Sequence, residues 1–174
     1  MDFEFSEEDR LFRAAVRDFA QKEVAPLVEY AEEHEKFPQE LFRKAGDLGY
    51  LCMRYPEEYG GAGAGKVTEC IYVEELHKIC VGIAGGLMAQ GSLATAAIFL
   101  RGTEQQKQEY LVPAIKGLKI GAFGLTEPNA GSDITAIETT ARRDGDGYVI
   151  NGVKTFITNS TFADYLILAA YTNK

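Results

Sequence analysis

Two stretches of this 174-residue chain carry side chains whose types and spacing could hold a polar ligand. The first is Ala122-Phe123-Gly124-Leu125-Thr126-Glu127-Pro128-Asn129-Ala130-Gly131-Ser132-Asp133. An apolar run leads straight into Thr126, so the threonine ends a strand and begins a loop. Its hydroxyl and the nearby backbone N–H groups can then point outward at a ligand. Gly131 lets backbone approach closely, because it carries no Cβ. The second stretch, Tyr148-Val149-Ile150-Asn151-Gly152-Val153-Lys154-Thr155-Phe156-Ile157-Thr158-Asn159, offers another threonine beside an aromatic ring. Each feature taken singly also has a plain structural reading. Thr126 and Thr158 fit ordinary strand threonines, Ala-Gly-Ser-Asp fits a turn, and Phe156 fits a core aromatic. Other chemistry is poorly supplied. His34 and His77 sit on helical stretches with no Cys or carboxylate array suited to a metal, and no nucleophile–His pairing is legible. Cys52, Cys70 and Cys80 are odd in number and lack CxxC spacing, so they read as buried free thiols in a reducing compartment.

The elements that position these stretches differ in kind on either side of residue 117. Residues 1–117 read as a helical domain. Ser6 with Asp9 makes an acidic capping box, and Leu11, Phe12, Ala15, Val16 and Phe19 follow at helical spacing. Pro26 opens a second helix running to about Glu35. Phe37-Pro38 starts a third, carrying Leu41, Phe42, Ala45 and Leu48, with Gly49 as its C-cap. Residues 55–63 are Gly- and Pro-rich loop; helices resume over 67–100, and Thr103 with Gln106 caps one more to about Lys116. From 118 to 174 the pattern is β-branched and aromatic. Strands are predicted over 119–125, 137–143, 147–150, 153–158 and 165–171. Asp144-Gly145-Asp146-Gly147 and Asn151-Gly152 are hairpin signals. The fold class is therefore α+β: an all-helical domain followed by an antiparallel, incomplete β-barrel-like domain. The last strand has no visible closing partner before Lys174, and an unpaired edge hints at missing sequence.

The bulk numbers set limits. With 46% hydrophobic and 25% charged residues the chain is an ordinary globular sequence. A net charge of −8 argues against a nucleic-acid surface, which needs clustered Lys and Arg. The weakly polar run 81–100 is interrupted by Gly82, Gly85, Gly86, Gly91, Gln90, Ser92 and Thr95, which argues for buried helix rather than a membrane span. The acidic start, Met1 to Asp9, matches neither a secretory signal nor a transit peptide, so a cytoplasmic location is expected, with a processed mitochondrial matrix protein as the other option.

Four motifs in order carry a resemblance. Glu57-Glu58-Tyr59-Gly60-Gly61, the run from Gly102-Thr103-Glu104-Gln105-Gln106-Lys107 to Tyr110-Leu111-Val112-Pro113, the Thr126-to-Asp133 loop and the Tyr148-to-Asn159 stretch together resemble the acyl-CoA dehydrogenase family. The likeness covers nearly the whole chain and leans toward bacterial short-chain, butyryl-CoA-type enzymes. It implies FAD as cofactor and an acyl-CoA thioester as substrate. In that light Phe123, Leu125, Thr126, Gly131, Ser132, Phe156, Ile157 and Thr158 are the expected cofactor contacts. Thr126 falls at the pyrimidine edge of the flavin, where charge gathers during reduction and donors are wanted. Thr158 matches the threonine facing N5. Phe156 takes the aromatic position against the isoalloxazine, where many relatives carry Trp; this chain has no Trp. The Ser132 hydroxyl is expected to reach a phosphate oxygen of FAD or of the CoA portion. Ala89, Gln90 and Ala94, with Gly91, Ala96 and Ala97, lie on a small-residue segment that borders the acyl chain in relatives; close helix packing explains any one of them equally well.

The implied reaction is α,β-dehydrogenation of an acyl-CoA: a carboxylate removes the α-proton and the β-hydrogen leaves as hydride to flavin N5. The family's base is a glutamate in a carboxy-terminal helical domain beyond this sequence, so no residue here is assigned as catalyst. Glu127 has no role as base in the family and reads as a cap or salt-bridge partner. The chain alone is expected to hold FAD weakly and not to turn over. The complete protein is expected to be a homotetramer that passes electrons to an electron-transferring flavoprotein. A non-catalytic flavin- or partner-binding fragment, an acyl-CoA oxidase and a glutaryl-type relative are the alternatives.

Overall fold

The computed structural model describes residues 4–173; Met1–Phe3, part of the acidic start, and Lys174, the expected open end, lie outside them. Helix α1 (Glu7–Phe19) begins where the sequence places it. Asp9 N donates to Ser6 Oγ at 3.1 Å and Ser6 N donates back to Asp9 Oδ2 at 3.3 Å, which satisfies two N-terminal donors at once. Val16 and Phe19 are buried, Phe12 is half-buried, and Leu11 and Ala15 face solvent. A π turn (Ala20–Val24) then leads without a break into α2 (Ala25–His34), so Pro26 sits at the head of a continued helix, not a separate one. Helix α3 (Glu40–Asp47) buries Leu41, Phe42 and Ala45 and ends before Gly49, whose φ of 71° is the left-handed conformation a helix stop needs.

Helices α4 (Lys66–His77) and α5 (Val81–Ala89) follow. A π turn over Gln90–Ala94 joins α5 to α6 (Ala96–Arg101). The apolar run is core helix: Ile83, Ala84, Leu87, Ala94 and Ile98 are buried, though the stretch Val81–Arg101 is long and apolar enough to pass for a membrane span by composition. Thr103 and Gln106 form the expected capping box for α7 (Glu104–Gln106), which continues through a π turn (Lys107–Leu111) into α8 (Val112–Ile115). The helices share one core in which Val16, Val24, Leu41, Phe42, Leu51, Leu76, Leu87 and Leu111 are almost wholly buried. A buried carboxylate pins α1 to α4: Glu75, 2% exposed, accepts from Arg17 at 3.0 Å and Lys78 at 2.7 Å, with Arg13 at 3.6 Å. Arg17 above all, then Lys78, holds its pKa down at about 2 against the opposing effect of burial.

The helical domain plus a β region is thus the observed architecture. Within the β region, β1 (Gly121–Gly124) pairs in parallel with β4 (Tyr165–Leu168), and β2 (Thr140–Asp144) pairs antiparallel with β3 (Gly147–Asn151). The parallel pair departs from the all-antiparallel expectation. Its 40-odd intervening residues easily supply the crossover that parallel strands require. Tyr171 links the two pairs: Ala141 N donates to Tyr171 O at 2.8 Å and Tyr171 N to Thr139 O at 2.9 Å. The β2–β3 turn has positive φ at Gly145, the first central residue, and so matches the Gly-first hairpin type.

Two expectations fail here. No strand forms over 153–158, and Asn151-Gly152 is no hairpin turn. Asn151 still pairs with Thr140, and a Cβ on Gly152 would stand 2.2 Å from Thr139 Oγ1, so the glycine permits a close crossing rather than a reversal. The chain then turns away to meet Thr126, whose carbonyl accepts from Thr155 N at 3.0 Å. The cysteine expectation also needs correction. Cys52 alone is buried, and burial pushes its thiol up to about 12, whereas Cys70 is exposed and Cys80 half-buried.

Candidate functional site

Strand β1 ends at Gly124, and the chain leaves it through Leu125 and Thr126 into a tight reversal. Glu127 N donates to Ala130 O at 2.9 Å and Ala130 N to Glu127 O at 3.1 Å, with Pro128 and Asn129 between them. Pro presets the φ such a turn wants. The Glu127 side chain folds inward, 6% exposed. It accepts from Lys154 Nζ at 2.7 Å, Glu138 N at 2.6 Å and Thr139 N at 3.0 Å. Burial alone would raise its pKa, but the hydrogen bonds from Lys154, Thr139 and the backbone outweigh it and set the value at about 2. The salt-bridge role is therefore what this carboxylate performs, with both of its oxygens engaged by donors of the chain itself. Lys154 Nζ also donates to Leu125 O at 2.9 Å, so one ammonium ties the end of β1 to the 152–158 segment.

These ties bring distant residues to one cleft of about 190 Å³. Its lining is Phe123, Leu125 and Thr126 from β1 and its exit, Phe156, Ile157 and Thr158 from the following segment, and Ala89 and Leu93 from the α5 wall. Six of the eight expected cofactor contacts meet there. The Phe156 ring is 91% exposed. Its backbone has φ of 56°, a conformation that costs a bulky residue about 1–2 kcal/mol. The plain reading of Phe156 as a core aromatic fails on this exposure. The hydroxyls of Thr126 and Thr158 make no hydrogen bond among the described residues and are free to donate into the cleft.

Other expected site residues lie elsewhere. Gly131 and Ser132 sit on an exposed loop outside the cleft lining, and nothing stands within 4 Å of where a Gly131 Cβ would be, so close backbone approach is not demanded by the fold itself. Asp133 caps the short turn after them, accepting from Thr135 N at 3.0 Å. Gln90 does not face the cleft at all: it is fully buried, its Nε2 donating to Ala114 O at 3.1 Å and Lys119 O at 2.7 Å, its Oε1 accepting from Gly121 N at 2.7 Å. An amide that is wholly buried and has both N–H groups and its oxygen engaged by backbone is not presented to a substrate. Ala94 is buried against β1, with Gly121 as its neighbour. Only Ala89 of the three reaches the cleft.

Sequence reading missed Leu93, Lys154 and Asn159 as parts of the site. Leu93 reaches the cleft because the π turn rotates the helix there, and no residue pattern announces a π turn. His34 and His77 each donate Nδ1–H to a carbonyl one turn earlier, Tyr30 O at 3.0 Å and Val73 O at 2.7 Å, and play no part. A wider groove of about 390 Å³ between α6, α7 and β4, lined by Arg101, Tyr110 and Leu166 among others, shares no residue with the cleft. Among the described residues no cluster of His, Cys, Asp or Glu could hold a metal.

Comparison with known proteins gives a consistent result. A family model for the N-terminal domain of acyl-CoA dehydrogenase matches residues 6–118, and one for the middle domain of acyl-CoA dehydrogenase matches 122–174. The short-chain-specific acyl-CoA dehydrogenase of Clostridium acetobutylicum is 48% identical over all 174 residues, which cover 46% of its length. The butyryl-CoA dehydrogenase structure from Megasphaera elsdenii superimposes with a TM-score of 0.88 at 40% identity, over 100% of this chain and 46% of that one. A glutaryl-CoA dehydrogenase from Mycobacterium smegmatis, solved in complex with FADH2, gives 0.92 at 37% identity, over 97% of this chain and 44% of that one. The chain thus spans about half the length of the relatives it matches.

Proposed function

Because the chain belongs to the acyl-CoA dehydrogenase family, we propose that it forms the flavin edge and one acyl wall of an enzyme that introduces an α,β double bond into an acyl-CoA thioester. The domain division is taken at 117/118. One observation carries the reading: Phe123, Leu125, Thr126, Phe156, Ile157 and Thr158, far apart in sequence, line a single cleft with Ala89. The donor set suits FAD. Two unpartnered hydroxyls beside apolar walls and a presented aromatic ring are what an isoalloxazine needs, a face to stack on and donors along its polar edge.

FAD, when bound, would supply the acceptor for the hydride that leaves the β-carbon. The Thr126 hydroxyl would donate to the pyrimidine edge, and Thr158 would face N5. Phe156 would cover a ring face, while Phe123, Leu125 and Ile157 exclude water. Ala89, with Leu93, would wall the acyl chain, and the Ser132 hydroxyl would reach a phosphate oxygen from its exposed loop. Glu127 is not assigned as the α-proton base: held at a pKa of about 2 it is a weak proton acceptor, and it is paired with Lys154. The base is assigned to the family's carboxy-terminal helical domain. Electrons would pass to an electron-transferring flavoprotein, in a cytoplasmic or mitochondrial-matrix homotetramer.

Titrating the chain with FAD tests this, followed by flavin absorbance and fluorescence. Binding is expected, and Thr126→Val and Thr158→Val should each weaken it about tenfold, the worth of one hydrogen bond to the flavin. Absence of any FAD uptake, or uptake indifferent to both changes, refutes the assignment.

A further inference from the structure

Asn159 joins three walls of the cleft through one side chain. It directly follows Thr158 and is 6% exposed. Its Nδ2 donates to Gly86 O on α5 at 3.0 Å and to Gly121 O, the first residue of β1, at 3.5 Å. Gly121 is therefore gripped from both sides, since its N–H donates to Gln90 Oε1 at 2.7 Å. The approach of α5 is close enough that a Cβ on Gly86 would stand 2.3 Å from the Phe37 ring and 3.2 Å from Asn159 Oδ1. Glycine at 86 is what lets the helix reach the turn.

The turn itself is held against its own preference. Phe156 and Asn159 have φ of 56° and 69°, two left-handed residues within four. Asn tolerates that conformation and Phe does not. Such a turn persists only where its surroundings over-determine it, and the Phe156 side chain, 91% exposed, contributes no packing. The restraint comes from Thr155 N to Thr126 O at 3.0 Å, Ser160 N to Ile157 O at 3.2 Å, Phe162 N to Asn159 O at 3.1 Å and the Asn159 carboxamide.

We propose that Asn159 is a positioning residue of the cleft: its carboxamide latches the 156–159 turn to α5 and β1, and so keeps Phe156 and Thr158 presented before the cofactor arrives. The inference rests on the flavin reading of the cleft. Preorganisation of this kind lowers the ordering cost of binding without adding a contact to the ligand.

Asn159→Gly keeps the left-handed backbone and removes the latch. Asn159→Asp keeps the shape but points an oxygen at two carbonyls. Both are compared with the unaltered chain by amide hydrogen exchange without ligand and by FAD titration. In both variants the amides of Ser160 and Phe162 should exchange about tenfold faster or more, the α4 amides should keep their protection, and FAD affinity should fall about tenfold. Unchanged exchange at Ser160 and Phe162 overturns the latch, whatever the cofactor does. Faster exchange with undiminished FAD affinity overturns its service to the cofactor. Protection lost across α4 as well, in both variants, shows a general core residue and overturns the proposal. Faster exchange in a chain that, unaltered, takes up no FAD supports the latch and defeats the flavin reading instead.

Discussion

A residue held in an unfavourable backbone conformation with its side chain in solvent contributes nothing to folding that could justify it. Phe156 is such a residue, and its strain has a use only if something lies against the ring. Phe156→Gly should therefore leave the stability of the ligand-free chain unchanged or raise it by up to ~1 kcal/mol, read as an unchanged or higher melting temperature, since relief of left-handed strain is partly offset by glycine's chain entropy. The same change should weaken FAD binding. A clear drop in the melting temperature would show that the ring packs after all. Glu127 illustrates the converse: the carboxylate that stands inside the most diagnostic motif is a poor proton acceptor, because Lys154 and two backbone N–H groups already donate to it.

At the scale of elements, the cleft depends on how the α5 helix meets β1. Gln90 supplies that joint, with three hydrogen bonds to backbone of two other segments. Gln90→Leu keeps the bulk and removes the side-chain partner of Lys119 O and Gly121 N, while Ala114 O still accepts from Gly117 N at 3.1 Å, so unfolding by denaturant should show a loss of about 2 kcal/mol or more. A loss under half of that would mean the joint is made by apolar packing. Between α1 and α4 the joint is ionic. Glu75→Gln should cost about 2–3 kcal/mol, because Arg17 and Lys78 lose a charged acceptor while remaining partly solvated themselves.

At the scale of the whole molecule, Glu75 and Glu127 give stability its dependence on pH. Both have folded-state pKa values of about 2, below the 4.5 of a free glutamate, so the folded state holds fewer protons than the unfolded chain between those values. Their contribution is fully present above about pH 5 and is lost as pH falls toward 2. An acid titration followed by circular dichroism should show this, and Glu75→Gln should shrink the slope over that range; an unchanged slope would contradict it. Stability is also unevenly spread. Phe42 and Leu41 are wholly buried among helices, whereas Tyr148, Val149 and Ile150 of β3 are about half exposed or more. Hydrogen exchange should accordingly find the β2–β3 hairpin opening well below the free energy at which the helical core does.

Local chemistry settled a good deal before any tertiary contact was known. The capping boxes at Ser6 and Thr103, the stop at Gly49 and the Gly145 hairpin depend on residues within a few positions of each other, and all four stand in the structure. The family, and with it the helical-then-β order, was legible for the same reason, since motif order survives in one dimension. What only the folded chain decided involves partners far apart in sequence. Residues 153–158 look like a strand by composition, yet they turn to meet Thr126 and Glu127 because Lys154 and Thr155 find their partners there. Gln90 looked like a substrate contact and became a strut, because the π turn and the approach of β1 bury its amide among three backbone groups. Hydrogen-bond demand in a buried place is set by what else arrives there, and the sequence around a residue does not carry that information.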